Sequence, residues 1–457
     1  TGAGNDYSTG NTVFNSTLTV TVTNGRLYLR HTGTTTFNGN VVFNSTGSSG
    51  GIWLGQSTGN ITLAAGRTIS AGTYDTGSLL FRNFTQVGGT PQNIILTGTS
   101  TLYFQSGATF NGNVVTTSAG LYMNGATFNG QLNATKTGIT NEYSSGGTTY
   151  NSTTEFTNTG AGILYLANSG TDVYNGDLVV NSTGTGGFIF GNGGGTSTLS
   201  PGRTLTIGST GFTDGRLFLR NFTISGAVAQ VLTLGDNTTF VQYPGTLFGG
   251  DLTVTAGSVL LHGGTVNGNA TYVKNDDTDD WGNGGCIFNG DLDITNNGIG
   301  HFGPCNTGTD IYNGDIRVST TSTGSIRFGQ STGTATLAAG RTISVGAGGY
   351  TGAQFLIRQF NQLGSTPQTL VFSANTRVYI RTGCSFGGDL SITGGSYEIS
   401  SSTFNGSCTL NMIGGLSDTS PGANVFNGTL SINNTGTGNH HLSETAGDIY
   451  NGDVVIT

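Results

Sequence analysis

The sequence predicts an all-β fold, a parallel β-helix or β-solenoid with a right-handed coil favoured. Three observations predict it. The chain repeats itself at a long period, aromatic anchors recur at a shorter period inside each copy, and Gly, Asn, Ser and Thr punctuate short alternating apolar runs. The 81 glycines in 457 residues would suit a flexible tract, but 25 Phe and 16 Tyr placed among Val, Ile and Thr describe strands and tight turns.

The long period is set by TTFNGN at 35–40, DVYNGD at 172–177 and DIYNGD at 310–315 and 448–453, which lie 137, 138 and 138 residues apart. GQSTGNITLAAGRTIS at 55–70 and GQSTGTATLAAGRTIS at 329–344 agree at 14 of 16 positions. The expected organisation is therefore the end of a preceding repeat over 1–34, repeats over 35–171, 172–309 and 310–447, and the start of a further one over 448–457, all in one continuous solenoid. Both ends fall inside a repeat, so a longer parent protein is expected.

Inside the first copy the anchors Phe110, Phe128, Tyr150 and Tyr174 are spaced 18, 22 and 24 apart, and the same spacings recur at Phe248, Val266, Phe288 and Tyr312 and at Phe386, Phe404, Phe426 and Tyr450. With short strands near 61–63, 79–81, 94–96 and 102–104, this reads as about seven turns of about 20 residues per copy. In each turn the aromatic points inward and the following Asn-Gly takes a sharp corner. Both residues tolerate a left-handed backbone. Stacking should then turn Asn38, Asn111, Asn129, Asn175 and Asn313 inward as a hydrogen-bonded ladder, with turns about 4.8 Å apart.

Only 8% of residues are charged and the net charge is −8, so no basic surface for nucleic acid is expected. No apolar run approaches the roughly 20 residues that span a bilayer, so no membrane insertion is expected. A catalytic β-helix would gather Asp, Lys and Arg on one sheet. Here Asp177, Asp291, Asp315, Asp389 and Asp453 at the corners are exchanged for Asn40, Asn113, Gln131 or Thr429 in equivalent turns, which reads as solvated corner polarity. No metal-ligand spacing links the five histidines, and no Ser is set with a His and an Asp at motif spacing. The sequence reads as a non-enzyme. The densest acidic cluster, Asp276, Asp277, Asp279 and Asp280 beside Trp281, is a candidate calcium loop; no other cofactor is expected.

Cys286 and Cys305 appear together only in the second copy and Cys384 and Cys408 only in the third, the pattern that two disulfides and an oxidising compartment would produce. Alternation in GIWLGQ at 51–56 turns Trp53 outward, and the same logic turns out Tyr103, Tyr122 and Tyr165. Such a stripe is a candidate platform for sugar rings. Its equivalents are Ile189, Val241 and Leu260 in the second copy and Arg327, Tyr379 and Glu398 in the third, so it is not maintained.

The FNG and YNGD corners, LAAGRTIS, LLFRNF and the TPQ segments resemble the repeat units of very large surface proteins of Bacteroidetes, over essentially the whole chain. The resemblance implies export by the type IX route, an extracellular, cell-surface location and, in some members, a role as gliding adhesins. It leads to the expectation of a non-catalytic structural or adhesive fibre segment, whose partners are further repeats of the same chain, surface glycans or other copies of itself. A polysaccharide-degrading β-helix and a self-assembling filament subunit are the alternatives.

Overall fold

A computed structural model describes residues 5–47 and 50–457. No helix occurs among them. The chain forms two units, Thr1–Val228 and Ala229–Thr457, and each is a coil of short parallel strands. Every turn contributes a strand to each of three faces. In the first unit one turn runs through Thr34–Phe37 on the first face, Val41–Ser45 on the second and Gly51–Leu54 on the third. The next turn repeats the path and pairs in register, Phe37 with Leu63 on the first face and Leu54 with Phe81 on the third.

The second face of this unit is a nine-stranded sheet from Leu18–Val22 to Leu205–Phe212. In the second unit the second face is a six-stranded sheet from Gln230–Thr233 to Ile343–Tyr350, then a five-stranded one from Gln368–Val371 to Val454–Ile456. All named pairings are parallel, as a coil of one hand requires.

Each copy is six turns rather than about seven. The first-face strands of the first copy are Thr34–Phe37, Asn60–Leu63, Phe84–Gln86, Thr109–Phe110, Thr127–Phe128 and Thr149–Tyr150, after which Thr171–Tyr174 opens the next. The expected count took the four runs between Phe37 and Phe110 as separate turns. They fall on two, because 61–63 and 79–81 are first and third faces of one turn, and 94–96 and 102–104 are second and third faces of the next.

The anchors form the core. Phe37, Phe110, Tyr150, Tyr174, Phe288, Tyr312 and Phe386 are fully buried. Their rings stack from turn to turn, Phe128 on Tyr150 at 5.8 Å and 6° and Phe386 on Phe404 at 5.7 Å and 2°. In-register parallel pairing sets like residue above like, so aromatic burial and ring stacking add at one position.

The Asn-Gly corner differs from expectation in two ways. Asn38, Asn111, Asn175 and Asn313 are half-buried and Asn129 is exposed, so the side chains line the outside of the corner instead of turning inward. There they bond in a chain: Asn38 donates to Asn15, Asn129 to Asn111, Asn151 to Asn129, Asn175 to Asn151 and Asn313 to Asn289, at 2.6–2.8 Å. Inside, the preceding aromatics already fill the space. Nor is the corner left-handed, for none of these Asn or their glycines has a positive φ. Glycine is needed for room: a Cβ on Gly290 would stand 2.5 Å from the carbonyl oxygen of Gly268 one turn away. The left-handed corner lies elsewhere, at Asn83, Asn221 and Gln359 in the FRNF, LRNF and IRQF segments, with φ of 46°, 48° and 50°.

An inward polar corner does exist, at the end of the second face. Asn158, Asn296 and Asn434 each begin an N-x-G-x-G segment; their amides donate to Gly162, Gly300 and Gly438 at 2.8–3.0 Å and accept from Gly160, Gly298 and Gly436 at 3.1–3.2 Å, with Asn158 and Asn296 fully buried and Asn434 exposed. Lys136, one turn before Asn158, is buried with its Nζ donating to the carbonyls of Gly138 and Gly162 at 2.7 and 3.1 Å.

Candidate functional site

The third face of the first unit carries an outward column set by strand register. Tyr7, Tyr28, Trp53, Leu80, Tyr103 and Tyr122 are paired in sequence across six strands, and Tyr143, Tyr165, Ile189 and Phe218 across the four that follow. The strand period of two explains it: the flanking Ile52, Leu54, Leu102 and Phe104 point inward and are fully buried, so the residue between them must face out. Of the proposed platform residues, Trp53, Tyr103, Tyr122 and Tyr165 therefore share one face and one column. Tyr7, Tyr28, Tyr143 and Phe218 are its other aromatics and were missed, although alternation in RLYLR at 26–30 marks Tyr28 in the same way.

The rings pair along the column. Tyr7 stacks on Tyr28 at 4.5 Å, Tyr103 on Tyr122 at 4.5 Å and Tyr143 on Tyr165 at 4.1 Å, within 15° of parallel. Trp53 is turned edge-on to Tyr28, its Nε1 donating to Ser78 Oγ at 2.7 Å. Burial, then the Glu142 carboxylate bonded to it, pushes the Tyr122 phenol well above its ordinary value, so it is a neutral donor at any physiological pH.

Beside the column lies an open groove of about 350 Å³ lined by Arg26, Gly50, Trp53, Gly77, Ser78, Thr99, Thr101 and Tyr103. Gly51 opposite Ser78 allows the Trp53 contact, because a Cβ there would meet Ser78 Oγ at 2.8 Å. Arg26 lies 4.7 Å from the centre of the Trp53 ring, and no carboxylate pairs with it among the described residues. A second hollow of about 370 Å³, with the apolar Ala119 and Ile139, shares Thr99 and Thr101 with the groove.

The equivalent column of the second unit is closed by its own side chains. Gly303 leaves room for the Trp281 ring, and Arg327 lies 5.8 Å from that ring. Arg381 lies 4.4 Å from the Tyr379 ring and binds Glu398 through two bonds of 2.8 and 2.9 Å.

The acidic loop does not gather into a cage. Asp280 is buried, accepting from Ser258 Oγ at 2.7 Å and from the Val259 N–H at 2.6 Å, and burial pushes its carboxyl up to about 6. Asp277 and Asp279 accept the N–H groups of Ile299 and His301 one turn on, and Asp276 pairs with Lys274. No group of three His, Cys, Asp or Glu that could hold a metal occurs among the described residues.

The corner acids have the same occupation. Asp177, Asp291, Asp315 and Asp389 each accept a backbone N–H of the following turn, those of Thr204, Asp315, Thr342 and Ser407, at 2.8–3.0 Å. Asn40 and Asn113 do the same for Thr68 and Gln131, which explains why Asp and Asn interchange there.

The cysteine pairing is corrected: Cys286, Cys305, Cys384 and Cys408 are free, buried thiols. Cys384 precedes a first-face strand whereas Cys408 opens a second-face strand, so their side chains enter different parts of the core. Cys286 and Cys305 do share a corner, but around the carboxyl of Asp310: the Cys286 N–H donates to it at 2.9 Å, and Cys305 Sγ reaches the carbonyls of Gly308 and Thr334 at 3.1 and 3.0 Å. Burial pushes the Cys305 thiol up to about 12 and the Cys384 thiol up to about 11, which leaves both protonated. Comparison of the chain with family models, with curated proteins and with solved structures found no match.

Proposed function

We propose that the chain is a non-catalytic adhesive solenoid that works outside the cell and engages carbohydrate through the outward column of its first unit. The observation that carries this reading is the column itself, eight aromatic side chains among ten successive positions on one face, with Trp53, Tyr103 and Tyr122 half-buried and Tyr28 and Tyr165 covered by their neighbours. Pyranose rings present a C–H face that packs on aromatic rings, and hydroxyl edges that need donors and acceptors beside them. Ser78, Thr99 and Thr101 supply those groups along the groove. Support for the absence of catalysis comes from the corner acids Asp177, Asp291, Asp315 and Asp389, each of which accepts a backbone N–H of the following turn. The surface location rests on the resemblance of the repeats.

Affinity electrophoresis through gels containing soluble polysaccharides tests it. The parent chain should be retarded by at least one of them, and a Trp53→Ala/Tyr103→Ala variant with an unchanged far-UV spectrum should run freely. Equal retardation of both would overturn the reading.

A further inference from the structure

The groove holds a cation, Arg26, that forms no ion pair among the described residues; Arg216 lies on the column in the same way, 5.7 Å from the Phe218 ring, but outside the groove. Arg26 lies along it, against the Trp53 ring, while burial and then the Glu142 carboxylate push the phenol of Tyr103 at the far wall up, with the Arg26 charge opposing in part. In the second unit Arg381, packed on the Tyr379 ring, is instead bound by Glu398. Backbone at Gly50 and Gly77 forms part of the wall, leaving open volume beside the indole.

We infer that this groove is a subsite for an acidic sugar, a uronate residue of a polysaccharide chain, with the pyranose against Trp53 and Tyr103, its hydroxyls on Ser78 and Thr101, and its carboxylate on Arg26. The inference rests on the carbohydrate reading above and adds the ligand's charge. The guanidinium is a planar fork that matches a carboxylate through two parallel bonds, and its stacking on the indole holds it in place before the ligand arrives. A carboxylate on the ring carbon lies at the edge of the pyranose, so a ring packed on the aromatic wall presents it sideways to a cation lying along that wall. The neutral sugar would leave Arg26 without a partner and gain only the stacking contribution.

The test measures quenching of tryptophan fluorescence by hexagalacturonate and by its fully methyl-esterified form, in the full chain carrying Trp281→Phe so that Trp53 is the one reporter. Hexagalacturonate should bind at least tenfold more tightly than the ester, and the difference should shrink as salt is added. Arg26→Gln should abolish the difference, and Arg26→Lys should restore part of it. Equal affinity for acid and ester in the parent, or a preference that survives Arg26→Gln, would overturn the acidic subsite and leave the carbohydrate reading standing. Binding of neither, with no retardation in any polysaccharide gel, would overturn both. Far-UV spectra and melting of the Arg26 variants separate a lost contact from a lost fold.

Discussion

At the scale of the residue, the repeated Asn-Gly pair divides its work: Asn makes a surface hydrogen bond and Gly makes room. Asn289→Ala breaks bonds to Asn267 and Asn313 that are open to water, and should cost about 1 kcal/mol in chemical denaturation. Gly290→Ala puts a methyl against the Gly268 carbonyl and should cost at least roughly twice that. The opposite order would mean the corner is loose enough to take a side chain. Asp172 and Asp310, buried two residues before Tyr174 and Tyr312, have their carboxyls pushed up to about 7 by burial, against an ordinary 3.8, with backbone N–H groups opposing in part. Between those values the folded chain holds the extra proton, so this contribution is full below about 4 and is lost as pH rises through about 7. Asp172→Asn/Asp310→Asn keeps an acceptor for the backbone and should flatten the fall in Tm across that window. An unchanged slope would show that other groups set it. Thiol titration without reductant should find four reactive cysteines in denaturant and none in the native chain; fewer than four in denaturant would restore a disulfide.

At the scale of the element, a strand here is two to eight residues long and is held by what lies above and below it. Phe128 sits between the rings of Phe110 and Tyr150, and Phe128→Ala should cost about 3–5 kcal/mol, because neighbouring turns cannot collapse into the hole without losing register. The two asparagine corners should respond differently. Asn296 is fully buried and its amide bonds to Gly298, Gly300 and Ser325, so Asn296→Ala leaves several backbone groups without partners in the interior. It should lower the denaturation midpoint two- to threefold more than Asn313→Ala, whose lost bond water can replace.

At the scale of the whole molecule, a repeat of six turns is a unit that can be removed without changing phase. Deleting 172–309 joins Thr171 to Asp310, so TDIYNGD replaces TDVYNGD and every strand keeps its face. That chain should fold with the parent's far-UV spectrum, whereas deleting 172–298 puts inward positions outward and should yield insoluble or unfolded protein. Equal behaviour of the two deletions would show that the turns are not phase-locked.

Period, fold class and the inward anchors were legible in the sequence, because in-register stacking forces like residues to recur at the turn length and a buried column tolerates little else. The outward direction of Trp53 and the tyrosines followed from the strand period of two. Other features needed the tertiary structure, since they depend on which strand lies above which. Loops of unequal length hid that 61–63 and 79–81 belong to one turn, and hence the count of six. Side-chain packing decided that the Asn-Gly ladder faces water while the N-x-G-x-G asparagines turn inward, although both motifs recur at 138 residues. Cysteines that arrive in pairs need only share a neighbourhood, and the chain path set Cys384 and Cys408 on different faces. The groove at Arg26 is the clearest case: it joins residues from successive turns, and its free charge is defined by what does not stand opposite, which no spacing along a chain records.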